Sequence, residues 1–249
     1  MSALTNTPDI TRPPREWSEA LKVIGTATIA STLQRLGIRN AHIVGPLQRH
    51  DGRIAAGPAL TLQFMPKRED VFGADEYEQP ELQLHRHVMY HTQPGDMVVV
   101  DARGDLKSGI FGDMMLTYFK GKGGVGCVVD GCIRDFKNVK KIDVGLWTTG
   151  LTPNFHAQTD IMPFAVNVPI SCGGTLVFPG DIVVADDDGA IVVPVKLAEQ
   201  VIALGGEHHD WEEFSKQRLE QGGEMRRYYP LTEEARPEYE EWRRAHPVR

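Results

Sequence analysis

Four short, continuously apolar runs constrain this chain more than any other feature. Met97-Val98-Val99-Val100, residues 125–129, Ile182-Val183-Val184-Ala185 and Ala190-Ile191-Val192-Val193 read as buried strands. The first is launched by a Pro94-Gly95-Asp96 turn, and Asp186-Asp187-Asp188-Gly189 separates the last two as a hairpin signal. Residues 59–65 add a strand closed by Pro66. Between these runs the apolar period changes. Ile29, Leu33 and Leu36 predict a helix over 28–36 that Gly37 stops, and Phe111, Met114, Met115, Tyr118 and Phe119 predict another over 110–120. A third helical pattern covers 196–221 through Leu197, Val201 and Leu204, is interrupted at Gly205-Gly206, and resumes with Trp211, Phe214 and Leu219. Strands and helices interleave without a repeat, so the expected class is α/β, in a single domain.

The ends differ from the middle. Residues 1–16 hold Pro8, Pro13 and Pro14 among polar residues and are expected to form a loose arm. The α/β domain is expected over 17–205, and a helix with a docking tail over 206–249. That tail is charged yet carries Tyr228, Tyr229, Tyr239 and Trp242, which suggests docking onto a surface such as a neighbouring subunit.

Charge narrows the function. The 249 residues carry 27 Lys+Arg against 34 Asp+Glu, a net −7. An acidic chain is a poor match for sequence-independent nucleic-acid binding, which draws its affinity from cations on phosphates. No apolar stretch approaches the roughly 20 residues of a membrane helix, and the first residues lack a signal-peptide pattern. The expected setting is the cytoplasm. Cys127, Cys132 and Cys172 form no C-x-x-C pair, so they are read as reduced thiols behaving as small hydrophobes. His85, His87 and His91 lack the metalloprotease pattern and are read as a solvated helix face. Gly121-Lys122-Gly123-Gly124-Val125-Gly126 precedes a strand, the reverse of what a phosphate cradle needs. The Asp186–Gly189 loop is too short for an EF-hand and lacks its downstream Glu, so it is read as a hairpin turn.

Two segments could carry chemistry. Asp101-Ala102-Arg103-Gly104-Asp105-Leu106 leads from a buried strand towards Gly112-Asp113-Met114-Met115. A helix starting near Gly112 would aim its unpaired first amides at an anion. Val129-Asp130-Gly131-Cys132-Ile133-Arg134-Asp135 ends another strand in a glycine turn and an Arg-Asp pair. Arg134 offers a bidentate fork for a carboxylate or enolate, and Asp135 a hard oxygen ligand suited to Mg²⁺ or Mn²⁺. The plain alternatives are a surface salt bridge at Arg134 and, for Asp113, an acid answering the helix dipole.

In ordered sequence, the Asp101-x-x-Gly104-Asp105, Gly112-Asp113-Met114-Met115, Gly126-x-x-x-Asp130-Gly131-Cys132-Ile133-Arg134-Asp135, Phe178-Pro179-Gly180-Asp181 and Ala185–Gly189 segments resemble the RraA-like family over about residues 25–205. That family includes the regulator of ribonuclease E activity and the 4-hydroxy-4-methyl-2-oxoglutarate/4-carboxy-4-hydroxy-2-oxoadipate aldolases. The resemblance implies a swivelling β/β/α-type domain, here with a C-terminal helical extension longer than in compact members. It also implies a homotrimer or a hexamer built as a dimer of trimers, with sites between subunits.

By the same resemblance, Arg134 steadies the pyruvyl oxygen and Asp135 anchors a divalent metal. Backbone amides of Gly112, Asp113, Met114 and Met115 receive the substrate carboxylate, and Asp113 holds a water of the metal's shell. A C-terminal glutamate borrowed from a neighbouring protomer completes that shell, with Glu213 and then Glu212 as candidates. The regulator lacks the acid after the arginine, so Asp135 favours an enzyme. The expected activity is a metal-dependent lyase acting on a 2-oxo acid through pyruvate enolate, either a 4-hydroxy-2-oxo acid aldolase or an oxaloacetate decarboxylase. Two alternatives compete: Schiff-base chemistry at Lys107, beside Asp105, and a non-catalytic regulatory binding protein.

Overall fold

The computed structural model describes residues 7–72, 78–156 and 159–246. In chain order the elements are α1 (Arg15–Ile24), α2 (Thr26–Arg35), β1 (His42–Ile43), β2 (Leu47–Gln48), β3 (Ala55–Pro66), α3 (Leu84–Tyr90), β4 (Met97–Gly109), α4 (Asp113–Gly121), β5 (Gly126–Ile133), α5 (Phe136–Val139), β6 (Gly145–Leu151), β7 (Ile161–Val166), β8 (Ile170–Cys172), β9 (Thr175–Val177), β10 (Ile182–Asp186), β11 (Gly189–Val193), α6 (Ala198–Glu220), α7 (Met225–Tyr228) and α8 (Arg236–Ala245). The α/β class is as the sequence predicts.

The main sheet runs β1-β11-β10-β3-β4-β5-β6-β2, with β7 added beside β3. β3 joins two halves. Its first residues pair antiparallel with the β10–β11 hairpin, Ile182 opposite Pro58, while Ala59–Gln63 pair parallel with β4. β4, β5 and β6 continue in parallel, so their C-terminal ends lie together. The apolar runs explain this: parallel strands are covered on both faces and read as continuous hydrophobic stretches rather than alternating ones. Val98, Val100, Cys127 and Val129 face one apolar cluster with Leu116, Phe119, Val88 and Met89 of the helices, while Val99, Val128 and Trp147 face another with Ile170, Cys172 and Val177. A third cluster places Leu21, Ile29, Leu33 and Val201 of α1, α2 and α6 over Val184 and Ile191 of the hairpin. All three cysteines are buried and free, as expected.

Several expectations change. α1 is an addition to the expected elements, although Trp17, Ala20, Leu21 and Ile24 stand at helical spacing and Leu21 and Ile24 are buried. β3 and β4 extend well beyond their apolar cores. α4 begins at Asp113, and Ile110 and Phe111 lie buried in the connection before it. α6 runs unbroken through Gly205-Gly206. A Cβ at Gly205 would meet Ile24 Cγ2 at 3.1 Å, so that glycine serves close packing of α6 on α1 instead of ending a helix. Of the arm expected over 1–16, residues 1–6 lie outside the described residues, and 7–14 are tied down: Arg12 pairs with the wholly buried Asp96 at 2.8 Å, and Asn167 donates to the Pro8 carbonyl at 2.7 Å. A buried carboxylate requires a counter-ion, and the arm supplies it.

The aromatic tail packs on its own chain. Phe214 of α6 is fully buried among Tyr228, Tyr239 and Trp242, with Arg218 over its ring at 5.1 Å. Arg227 and Glu238 pair at 2.6 Å and close the unit. Phe214 is therefore not available to bury α6 on a partner. Among the described residues, no helix is long and apolar enough to cross a membrane.

Candidate active site at the strand ends

The parallel strands stop side by side, and a cavity of about 380 Å³ opens there. In sheets of this kind the crevice beyond the carboxyl ends of the strands is the usual ligand position. The structure brings together here Gly112, Asp113, Met114, Met115, Arg134 and Asp135, while Asp101–Leu106 and Val129–Ile133 of the segments singled out from sequence do not line the cavity.

β5 ends at Ile133, and Arg134 then donates its backbone N–H to the Phe111 carbonyl at 3.0 Å, which ties the strand end to the approach of α4. Asp135 follows in the left-handed region, φ 59° and ψ 28°. Such a conformation costs a non-glycine residue roughly 1–2 kcal/mol and occurs preferentially where function needs a side chain aimed. The turn places the Asp135 carboxylate 3.4 Å from Arg134 Nε. Phe155 lies against the other side of the guanidinium, 5.5 Å from ring centroid to Cζ. Arg134 is thus held between an acid and an aromatic face, half-buried and pointing into the cavity.

Gly112 is the N-cap of α4. A Cβ there would fall 2.5 Å from Asp135 Oδ2 and 3.1 Å from Arg134 Nε, so a side chain at this position would push the Asp135 carboxylate aside. The first intrahelical bond is Leu116 N–H to the Gly112 carbonyl, 3.2 Å. Amides ahead of it find no carbonyl within the helix and, with the helix dipole, favour an anion. Asp113 opens α4 and accepts from Asn138 Nδ2 at 2.9 Å, which fixes its carboxylate towards the start of α5.

The remaining wall was not foreseen. His85, Arg86, Met89 and Tyr90 of α3, Gly109 and Ile110 after the apolar part of β4, Tyr118 of α4, and Phe155 and His156 complete the lining. His85 and His87 are buried, contrary to the solvated face expected of them. His85 packs on His156 with ring centroids 4.1 Å apart, and His87 Nε2 lies 2.8 Å from the Glu81 carbonyl. The spacing of His85, Val88 and Met89 could have shown an inward face. His156 carries no sequence signal.

The other candidates lie outside this chain's own cavity. Lys107 is exposed and pairs with Asp160 at 2.8 Å; that hydrogen bond and charge, with Asp105 adding a little, push its pKa up, away from what Schiff-base chemistry needs. Cys132 is buried, and burial raises its thiol pKa. Asp186 is occupied in the hairpin turn, accepting from the Thr26 amide and hydroxyl. Glu212 and Glu213 lie on α6 and line no part of this cavity; Glu212 is 3.1 Å from His208, and Glu213 is exposed. Among the described residues, no three His, Cys, Asp or Glu side chains cluster as metal ligands. The cavity offers two carboxylates, Asp113 and Asp135.

Comparison with known proteins gives the family. The RraA-like family model (Aldolase/RraA) matches residues 26–192. A candidate 4-hydroxy-4-methyl-2-oxoglutarate aldolase of Halalkalibacterium halodurans is 42% identical over 114 residues, 46% of this chain and 53% of that protein. Protein DlpA of Legionella pneumophila is 24% identical over 71% of this chain, and the match spans 27% of that longer protein. The matches thus span about half or less of these curated relatives' length. Among solved structures, Streptomyces coelicolor RraAS2, described as an unusual member of the RNase ES inhibitor RraA protein family, is 44% identical with a TM-score of 0.76, covering 84% of this chain and 99% of that one. A protein of Pseudomonas syringae pv. tomato shares the fold at 23% identity, with a TM-score of 0.75 over 88% of this chain and 99% of that one. With its fold, its strand-end motifs and its matched span all in agreement, this chain belongs to the RraA-like family.

Proposed function

We propose that the chain is a lyase that cleaves a 2-oxo acid through a pyruvate enolate, as an aldolase on 4-hydroxy-2-oxo acids or as an oxaloacetate decarboxylase. The observation that carries this reading is the Arg134–Asp135 pair set against the start of α4. The substrate carboxylate lies on the amides that open α4. The 2-oxo group faces Arg134, whose guanidinium takes up the negative charge that develops on the oxygen. In retro-aldol cleavage the C4 hydroxyl loses its proton, the C3–C4 bond breaks and the C4 fragment leaves as a carbonyl compound. The electron pair of the broken C3–C4 bond passes to the enolate, and a proton delivered to C3 completes pyruvate. Asp113, oriented by Asn138, is placed to relay those protons. In decarboxylation the same enolate follows loss of CO₂.

A divalent cation fits the donor chemistry of the site. Two carboxylates facing a cavity are hard oxygen ligands of the kind Mg²⁺ and Mn²⁺ prefer. Asp135 would hold the ion and Asp113 would meet it through a water; in that place it would supply Lewis-acid stabilisation of the enolate oxygen. Two carboxylates leave room for a further ligand, and Glu213, or else Glu212, of a neighbouring copy in a trimer or dimer of trimers is the candidate. Mixing dissociated Asp135→Ala and Glu213→Ala proteins and reassembling them restores part of the activity if the site is shared. No recovery from two individually dead mutants that reassemble rejects it.

The likeness to RraAS2 favours one other reading, a regulatory protein that masks an RNA-processing enzyme by surface contact. The deciding experiment is pyruvate release from a panel of 4-hydroxy-2-oxo acids and from oxaloacetate, with Mg²⁺ or Mn²⁺ and then with EDTA. Turnover lost with EDTA and regained with metal supports the lyase. Inactivity on every acid transfers the weight to the regulator. Borohydride with pyruvate should leave Lys107 unmodified.

A further inference from the structure

A second cavity, a groove of about 590 Å³, opens between α1 and α6, with Arg243 from the last turn of α8 at its side. It shares no lining residue with the strand-end cavity, and all of its lining lies outside residues 26–192. Its walls follow from helix periodicity. Ala20, Val23 and Ile24 stand at i, i+3 and i+4 on α1 and form an apolar side. Ala203, Gly206, Glu207 and Asp210 stand at i, i+3, i+4 and i+7 on α6 and grade from apolar to acidic. The two glycines of α6 differ here. Gly205 packs on Ile24, whereas a Cβ on Gly206 would meet nothing within 4 Å. A glycine inside a helix lowers its stability, and no packing contact accounts for Gly206. Its missing side chain leaves that space to the groove.

The acidic end of the groove is incompletely bonded. The Asp210 side chain is 13% exposed, and among the described residues it has an ion pair to Arg243 Nε at 3.7 Å and no hydrogen bond. Tyr239, one turn before Arg243, is 3% exposed, and its hydroxyl has no hydrogen-bond partner. The charges that act on this hydroxyl are those of Arg243, Asp210, Glu207 and Arg236; the first three line the groove, so the hydroxyl faces its acidic end. Buried polar groups are normally bonded. Beside His209, the charges of Glu207, Asp210 and Arg243 sum to −1. A covered carboxylate and a bare phenol oxygen in a negative setting match a cation that donates several hydrogen bonds, and an ammonium group carries three N–H donors.

We infer that this groove binds a small primary aliphatic amine, with the ammonium on Asp210, Glu207 and the Tyr239 oxygen and the alkyl chain along the α1 face. The site stands apart from the lyase reading and does not depend on it. A neutral molecule of the same shape would displace water from Asp210 and return no charge-assisted bond, and an anion would meet two carboxylates.

The test compares three molecules with one carbon skeleton. Binding of 3-methylbutylamine, 3-methylbutanol and 3-methylbutanoate to the full chain, without substrate, is measured by calorimetry and saturation-transfer NMR. The amine should bind more tightly than the alcohol by about tenfold, the scale of a charge-assisted hydrogen bond, and the acid should not bind. Asp210→Asn should remove that preference and leave the alcohol within about twofold. Tyr239→Phe should weaken the amine by about threefold, yet melt no lower than wild type, because the lost hydroxyl has no partner in the free chain. Gly206→Leu replaces a poor helix former at an open position, so it should also melt no lower, while its side chain fills the groove and abolishes binding. Glu240→Gln, exposed on α8 and outside the lining, should change nothing. No saturable binding, equal binding of amine and alcohol, or amine binding that survives Asp210→Asn and Gly206→Leu overturns the assignment. So does tighter binding of an N-acetylated, amidated lysine, which would make the occupant a side chain of another protein. A Tyr239→Phe chain that melts well below wild type would mean its hydroxyl is already bonded, and removes it from the site.

Discussion

Two turns of this chain look alike in sequence, yet Asp135 of one is used in the opposite way to Asp186 of the other. Asp130-Gly131-Cys132-Ile133-Arg134-Asp135 and Asp186-Asp187-Asp188-Gly189 both end a buried strand in acidic and glycine residues. In the hairpin the carboxylates serve the backbone. Asp186 accepts from Thr26 N–H at 2.9 Å, Thr26 Oγ1 at 2.7 Å and Asp188 N–H at 3.0 Å, and Asp187 accepts from Gly52 N–H at 3.0 Å. At the end of β5, Asp135 is turned into a cavity beside a cation, in a backbone conformation that costs energy. The difference teaches how to read an acidic turn. What matters is whether backbone donors already claim the carboxylate, and that depends on which elements the fold brings alongside.

The sharpest way to break this contrast is Asp135→Ala. We expect metal-dependent turnover to fall below detection while the melting temperature stays close to wild type, because an exposed strand-end carboxylate supports little packing. Near-normal activity at saturating Mg²⁺ would place Asp135 with the hairpin acids. Arg134→Lys keeps charge and loses the planar fork; kcat should drop by ~10²-fold, comparable to removing one oxyanion donor. An unchanged kcat with raised KM would restrict Arg134 to substrate binding. Gly112→Ala is milder, since the added methyl group must push the Asp135 carboxylate away; we expect a loss of roughly tenfold in kcat/KM. Its failure to appear would mean the cavity end is looser than its geometry. Asp186→Ala should invert the pattern. Stability should fall by about 1–2 kcal/mol, as when a helix start loses its capping acceptor, with activity per folded molecule unchanged. Denaturant titration beside the pyruvate assay distinguishes the two outcomes.

Much of the fold is legible because continuous apolar runs can be buried only in a covered sheet. Val98 to Val100 and the 182–193 hairpin lie where their patterns place them. The strand-end motif is equally legible, since Gly112, Arg134 and Asp135 are few-option residues at a tight approach. The rest depends on neighbours that a linear reading does not supply. Gly205 looks like a helix breaker until Ile24 is seen against it. His85 and His87 look solvated until His156 and the Glu81 carbonyl cover them. The tail aromatics suggest a partner because Phe214, their target, lies in the same chain at a distance the periodicity of α6 does not measure.

The three thiols have a consequence of their own. Cys127 and Cys132 sit on β5 and Cys172 on β8, all covered, and burial raises the pKa of each. A thiolate is the form that reacts, so the native chain should resist alkylating and disulfide reagents at neutral pH. Labelling then requires the central strands to part. The rate at which a thiol-specific dye enters becomes an internal clock of sheet opening, read without any engineered probe.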